Sequence, residues 1–154
     1  MLAPILKTIE VPCSQQQAFD VFVKEMESWW PLGKFTQSAM LGRPAKGIRV
    51  DPRHGGEIVE IGEDGTEVRW GTIAVYEPYD FVSMHFHVPH PSETEVSRSL
   101  IEVRFVVLDA QRTRVDLTQS NWEAFGKMAA MMYGGYAKAW DTIFEQSYKS
   151  VLGG

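Results

Sequence analysis

Apolar and polar residues alternate along positions 5–11, a pattern typical of a strand with one buried face. Pro12 ends this strand, and Ser14 fits a helix N-cap because Gln17 follows three residues later in a capping-box pattern. Behind the cap, apolar residues recur at helical spacing as far as Trp30. The first part of the chain therefore predicts a strand followed by an amphipathic helix.

The middle of the chain changes to period two and contains clear turns. We predict a hairpin turn at 63–65, a second turn at 77–80 ("EPYD") and another hairpin around 110–111. Segment 31–46 is a loop by its Gly, Pro and Lys content. These signals predict a meander of about six strands.

Helical spacing returns at Trp122 and lasts to about Leu152. At 1.5 Å per residue this segment would form roughly 45 Å of helix. The order strand, helix, meander and long helix predicts an α+β fold, in which helices cover one face of an antiparallel sheet. Neither a repeat nor a linker is visible, so we predict one domain over residues 1–154.

Composition narrows the classes of partner. The net charge of -5 and the pI near 5.4 argue against binding to nucleic acid or to an anionic membrane surface. The lone Cys13 excludes an internal disulfide and a cysteine-rich zinc site. No signal-peptide or membrane-spanning pattern is visible, so we expect a cytoplasmic protein without a cofactor. A homodimer is left open.

Three of the four histidines fall in one short stretch, "FVSMHFHVPH". Read as a strand over 81–88, it places Met84 and Phe86 on an apolar inner face and His85 and His87 on a polar outer face. A metal site would need His90 to curl back past a proline. We therefore predict no metal here and place the functional side of the strand on the methionine face.

Several motifs resemble one known family. "DPRHGGEIVEIGEDGTEVRWGTIAVYEP" is similar to the start-of-sheet signature of the activator-of-heat-shock-protein-90-ATPase-like branch of the SRPBCC superfamily, whose members share the START and birch-pollen-allergen fold. "VPCSQQQAFDVFVKEMESWWP" and "TRVDLTQSNWEAFGK" fit the same branch, so the resemblance covers nearly the whole chain. The last helix has Gly135-Tyr136 where the family usually carries Gly-Trp. The signature positions are Gly55, Gly56, Glu60, Gly65, Trp70, Gly71 and Pro78.

The resemblance implies a helix-grip fold, in which a curved antiparallel β-sheet wraps around a long C-terminal α-helix and leaves a cavity between them. The apolar stripes supply candidate ligand-binding residues for that cavity, although such stripes more often form a filled core. Methionines favour an adaptable binding surface, and the helix-destabilising Gly134 and Gly135 indicate a close approach or a bend. The candidates are Phe22, Met26, Trp30, Met84, Phe86, Val103, Phe105, Met128, Met132 and Tyr136.

Two tryptophan questions bear on this cavity. Of the adjacent Trp29 and Trp30, at most one can point squarely inward from a helix, so we expect the other at the rim of a cavity mouth. The direction of Trp70 depends on whether Gly71 marks a bulge. Without a bulge, Trp70 would lie on the histidine face.

Three functions remain, and fold alone does not choose among them. The first, which we favour, is a binding protein that holds an apolar or aromatic small molecule. The second is a cyclase- or hydratase-like enzyme, which would need Tyr136, Glu60 or a histidine deep in the cavity. The third, ranked last, is a partner that activates a chaperone ATPase. No sequence pattern demands catalysis, and we assign no catalytic residue.

Overall fold

The structure, a computed structural model, describes residues 2–154. Its centre is one seven-stranded antiparallel sheet in the order β1-β7-β6-β5-β4-β3-β2. The predicted meander is confirmed, because β2 to β7 follow one another as neighbours. The strands are Ile5–Val11 (β1), Gly47–Val50 (β2), Glu57–Ile61 (β3), Glu67–Glu77 (β4), Phe81–Phe86 (β5), Ser99–Asp109 (β6) and Arg112–Ser120 (β7).

The helices occupy three parts of the chain: after β1, within the 31–46 loop, and at the C-terminus. The sheet is curved and packs against the C-terminal helical segment of residues 122–151, which we call the C-terminal helix. The predicted α+β, helix-grip-like fold is thereby confirmed. The helices are α1 (Gln15–Lys24), α2 (Met26–Trp29), α3 (Gln37–Met40), a 3-10 segment (Trp122–Met128), α4 (Ala129–Thr142), a π segment (Ile143–Tyr148) and α5 (Lys149–Val151).

The first helix begins where the sequence predicts and ends earlier. The Ser14 hydroxyl accepts a hydrogen bond from the Gln17 amide at 3.2 Å. The helix breaks at Glu25, whose φ of -123° and ψ of 35° are not helical, and the chain re-enters a single turn of helix before Trp30. Trp30 itself is extended, so it leaves the helix in a different direction from its neighbour.

That break corrects the prediction for the tryptophan pair. Both Trp29 and Trp30 are buried, at 1% and 3% exposure, and neither ring lies on an exposed rim. The Trp29 indole donates to the Val21 carbonyl at 3.0 Å. The prediction assumed one continuous helix, which would have forced the two rings apart.

The direction of Trp70 is set by a β-bulge. The pairing of β3 with β4 skips Trp70 between Ile58 and Val59, so this residue has no partner on β3. Its ring is fully buried, on the inner side of the sheet and not on the histidine face. Gly71 is required beside it, because a Cβ there would lie 1.7 Å from the His85 carbonyl oxygen.

The predicted outer position of His87 is wrong. β5 ends at Phe86, and the alternation of faces ends with it. The His87 amide still donates to the Trp70 carbonyl at 2.9 Å, but its side chain turns inward and is 3% exposed. His85, within the strand, is exposed as predicted.

The C-terminal helix is less regular than its stripe of apolar residues indicates. It starts as 3-10 helix, with Gly126 at a φ of 55°. Gly134 and Gly135 lie in α4, and a Cβ at either position would meet no atom within 4 Å. A close approach at these glycines is therefore not the reason for them. No helix in residues 2–154 combines the length and the apolar character needed to cross a bilayer.

Candidate functional site

A cavity of about 210 Å³ opens between the C-terminal helix, loop 31–46 and the end of β5. We call it the helix pocket. Its walls are mainly apolar, with Tyr136 and His87 as the polar groups beside one another and Lys34 on the loop side. The lining residues are Trp30, Lys34, Phe35, Met40, His87, Val88, Met131, Met132, Gly135, Tyr136, Ala139 and Ile143.

Two other spaces help to define the pocket. An open groove of about 500 Å³ lies next to it; we call it the solvent groove, and it includes His90, Glu93, Glu95 and Met128. A larger open groove of about 630 Å³ crosses the outer face of the sheet, where charged side chains pair with one another. The helix pocket is the candidate site because it is apolar and lies on the side of the sheet that faces the helix.

The predicted ligand-binding residues divide into three groups in the structure. Trp30, Met132 and Tyr136 line the helix pocket. Met128 is 44% exposed and lines the solvent groove instead. The other six lie in the buried core and do not line the pocket; they are Phe22, Met26, Met84, Phe86, Val103 and Phe105.

Sequence reasoning missed the loop wall of the pocket and the chain that follows β5. Lys34, Phe35 and Met40 come from segment 31–46, which sequence analysis identified only as a loop by its Gly, Pro and Lys content. His87 was missed because the predicted strand ran two residues too far, to Val88. No periodic pattern identifies residues in such irregular segments.

The floor of the pocket is an aromatic cluster around Trp30. Its ring centroid lies 4.9 Å from Trp70, 5.7 Å from Phe86 and 5.9 Å from Trp140. The Trp30 indole donates to the Phe35 carbonyl at 2.9 Å, which ties loop 31–46 to the floor. Rings packed in this way bury much apolar surface and leave little freedom of movement, so the floor is fixed before any ligand arrives.

The fully buried Glu60 holds the loop wall in place. Its Oε1 accepts from the Gln37 amide at 2.8 Å and from the Trp70 indole at 3.0 Å. Its Oε2 accepts from the Ser38 amide at 2.7 Å and from the Ser38 hydroxyl at 2.6 Å. A buried carboxylate is tolerated when its oxygens are satisfied in this way. Glu60 therefore supports the site and does not line it.

A second polar chain joins the C-terminal helix to the sheet. The Trp140 indole donates to Gln119 Oε1 at 2.8 Å, and Gln119 Nε2 donates to the Ser99 hydroxyl at 2.9 Å. The Ser99 hydroxyl in turn donates to the Phe86 carbonyl at 2.7 Å. These four residues fix α4 relative to the end of β5, and hence fix one side of the pocket relative to the other.

Tyr136 and His87 form the polar corner of the pocket. The Tyr136 oxygen accepts from the Val88 amide at 2.9 Å and lies 2.8 Å from His87 Nδ1. His87 Nε2 lies 3.0 Å from Glu93 Oε1, which also accepts from the His90 amide at 2.9 Å. Burial raises the pKa of the Tyr136 phenol above its ordinary value, so this group is neutral at physiological pH.

A metal site and a cysteine nucleophile find less support. Within residues 2–154, no three His, Cys, Asp or Glu side chains are grouped so that they could hold a metal ion. Burial raises the pKa of the Cys13 thiol, so this cysteine is not activated as a nucleophile. The polar corner is the part of the pocket that could exchange a proton with a ligand.

Residues 12–146 match the sequence profile of the family described as "Activator of Hsp90 ATPase homolog 1-like protein". The chain belongs to this family. The resemblance to the activator branch of the SRPBCC superfamily is thereby confirmed. No curated protein matches the sequence significantly.

Solved structures extend the comparison to the fold. The anthrahydroquino-gamma-pyrone synthase Txn09, solved in complex with SUM, is 27% identical, with a TM-score of 0.60 over 86% of this chain and 85% of that one. The self-sacrificing resistance protein CalC from Micromonospora echinospora is 24% identical, with a TM-score of 0.66 over 97% and 93%. The Aha1 dimer from Colwellia psychrerythraea is 16% identical, with a TM-score of 0.62 over 98% and 96%.

Proposed function

We propose that this protein binds a small apolar or aromatic molecule in the helix pocket. The observation that carries this proposal is an apolar cavity on a fixed aromatic floor, with the Tyr136–His87 pair as a polar corner. Ligand sites are commonly of this kind: apolar walls supply affinity and a few placed polar groups supply orientation.

The volume of the pocket limits the ligand. An engineered apolar cavity of ~150 Å³ in another protein binds benzene. The helix pocket, at about 210 Å³, has room for one substituted ring or two small fused rings. Txn09, by its name, makes a ring system of aromatic type, and its likeness to this chain supports an aromatic ligand here.

Adjacent glycines in α4 provide a matched test. Gly135 lines the helix pocket and Gly134 does not, and a Cβ at either position has open space around it. Gly135→Leu should place its side chain in the pocket and abolish binding, whereas Gly134→Leu should leave binding unchanged. Both variants should gain helix stability by about 0.5–1 kcal/mol, because glycine is a poor helix former.

Binding of naphthalene, followed by NMR on the methionine methyl groups, provides the measurement. Naphthalene should shift the Met132 methyl signal in the wild-type protein and in Gly134→Leu, and should not shift it in Gly135→Leu. Equal binding by both variants would contradict the proposal, as would the absence of binding by a broad panel of aromatic compounds.

A cyclase- or hydratase-like enzyme is the second candidate, and one observation favours it: an ionisable pair lies at the pocket wall. Of the three groups that sequence analysis offered for catalysis, Glu60 already accepts hydrogen bonds from α3 within loop 31–46 and does not line the pocket. Tyr136 and His87 remain. The chaperone-activating role, the cytoplasmic location and the single-domain organisation stay predictions.

A further inference from the structure

The His87 imidazole is buried, and each of its nitrogens meets a different part of the chain. One side of the ring packs against Phe125, with centroids 4.9 Å apart. Nδ1 meets Tyr136 on the C-terminal helix, and Nε2 meets Glu93 in the segment after β5. A buried imidazole without partners would be costly, so this pairing accounts for its presence there.

The direction of the hydrogen bonds follows from the donors available. The Val88 amide can only donate, so the Tyr136 oxygen accepts from it. The phenol has one hydrogen of its own, which is free to point at His87 Nδ1. Nδ1 is then unprotonated, and the ring hydrogen lies on Nε2, where it is donated to the Glu93 carboxylate.

A second arrangement of the same atoms differs by one proton. If Nδ1 also carries a hydrogen, the imidazolium donates to the Tyr136 oxygen on one side and to Glu93 on the other. The phenol hydrogen is then released toward the helix pocket. These hydrogen-bonded side chains can therefore accept a proton at the pocket without moving any heavy atom.

The two ends of the hydrogen-bonded series Tyr136–His87–Glu93 face different surroundings. Tyr136 and His87 line the helix pocket, whereas Glu93 lines the solvent groove and is 21% exposed. His90 and Glu95 face the same groove, and Lys34 is the charged group that lines the pocket. Protons can thus reach water at the Glu93 end while the pocket end stays apolar.

We propose that Tyr136, His87 and Glu93 form a proton relay, and that the ligand of the helix pocket carries an acidic hydroxyl group beside Tyr136. This inference rests on the proposed function, since it requires a ligand in that pocket. Tyr136 is the residue that touches the ligand, and Glu93 is a positioning residue that acts through His87. Lys34 also lines the pocket and gives it one positive charge.

The proton transfer balances as follows. The ligand O–H bond breaks and a new bond forms between that proton and the Tyr136 oxygen. The original phenol proton moves to His87 Nδ1, which leaves an anionic ligand oxygen and an imidazolium beside the Glu93 carboxylate. The Nε2 proton can pass through Glu93 to water in the solvent groove. No electrons are transferred and no other reactant is needed.

The first experiment needs no ligand. Nitrogen NMR of the His87 side chain should show an unprotonated Nδ1 and a protonated Nε2 in the wild-type protein, with His85 and His90 as internal references. Tyr136→Phe should shift the Nδ1 signal, and Glu93→Gln should shift the Nε2 signal. A His87 ring with the hydrogen on Nδ1 at neutral pH would overturn the relay.

The second experiment compares para-nitrophenol with nitrobenzene, which lacks the hydroxyl group. At a pH below the solution pKa of para-nitrophenol, the wild-type protein should bind it about tenfold more tightly than nitrobenzene and hold it as the coloured phenolate. Tyr136→Phe should remove this preference and leave nitrobenzene binding nearly unchanged. Glu93→Gln should lower the bound phenolate fraction, which a merely structural role would not do.

The outcomes separate the two proposals. If neither probe binds, or if Gly135→Leu does not affect binding, the proposed function fails and the relay fails with it. If both probes bind equally and the bound phenolate fraction is the same in Glu93→Gln as in the wild-type protein, the pocket stands and the relay is wrong. Should Tyr136→Phe fail to fold, Glu93→Gln alone decides whether the relay is right, because Glu93 is partly exposed.

Discussion

Replacing Glu60 by glutamine tests the support of the pocket wall. The substitution keeps the shape of the side chain but turns one oxygen into an NH2 group. Each Glu60 oxygen accepts from two donors, so either orientation of the amide sets its NH2 group against two donors. The Ser38 hydroxyl can turn and accept, whereas the Gln37 and Ser38 amides and the Trp70 indole cannot.

The expected loss follows from these contacts. The best orientation places the NH2 group toward Ser38, where one backbone N–H loses its acceptor and the other bonds lose the assistance of the negative charge. A buried donor left unpaired costs ~1–3 kcal/mol, and bonds to a charged group are worth ~1.5–3 kcal/mol. We therefore expect Glu60→Gln to lower the free energy of unfolding by about 3 kcal/mol.

Urea denaturation measures this change, and amide hydrogen exchange at Gln37 and Ser38 shows whether the loss is local to α3. The matched control is Glu57→Gln in the same strand. Glu57 is 54% exposed and pairs with Arg69 on the surface, so its replacement should cost less than about 1 kcal/mol. Equal stabilities for the two variants, with unchanged exchange at Gln37 and Ser38, would refute the role assigned to Glu60.

Two further predictions concern the strand end and alkaline pH. Gly71→Ala should lower the free energy of unfolding in urea by at least ~1–3 kcal/mol and weaken naphthalene binding. The reason is that the new Cβ would collide with the His85 carbonyl and shift the end of β5. An alanine variant as stable as the wild-type protein would contradict the bulge geometry. The Tyr148 hydroxyl donates to the Ala18 carbonyl at 2.6 Å, and burial raises the pKa of this phenol. The contribution of Tyr148 to stability is therefore present below the unfolded pKa of ~10 and is lost as pH rises through the folded pKa. Tyr148→Phe should lower the free energy of unfolding by about 1 kcal/mol at neutral pH and reduce the loss of stability above pH ~10. The same dependence of stability on alkaline pH in both proteins would argue against a buried, hydrogen-bonded Tyr148 phenol.

Features that depend on neighbouring residues could be predicted from the sequence. The capping of α1 by Ser14 and the alternation in β1 follow from spacings of two to four residues. The family motifs extended this local evidence to the whole fold, which the structure confirms.

The parts of the site that were missed depend on distant residues. The acceptor of the Gln37 amide lies 23 positions away, at Glu60. The inward turn of His87 depends on a helix residue 49 positions away. Period-two reasoning cannot locate the end of β5, because the strand stops where its partner β6 starts pairing at Ser99, and not where its own pattern changes.

Met131 and Met132 each line both the helix pocket and the solvent groove, so two flexible side chains form the partition between these spaces. Methionine is unbranched and changes rotamer at little cost, whereas the aromatic floor on the other side is held by packed rings. The upper limit on ligand length is therefore set by the rotamers of two side chains and not by the backbone. A molecule too long for the pocket could enter the groove beneath Glu93 by rotating this partition, and a single methionine replaced by a β-branched residue would convert an adjustable chamber into one of fixed size.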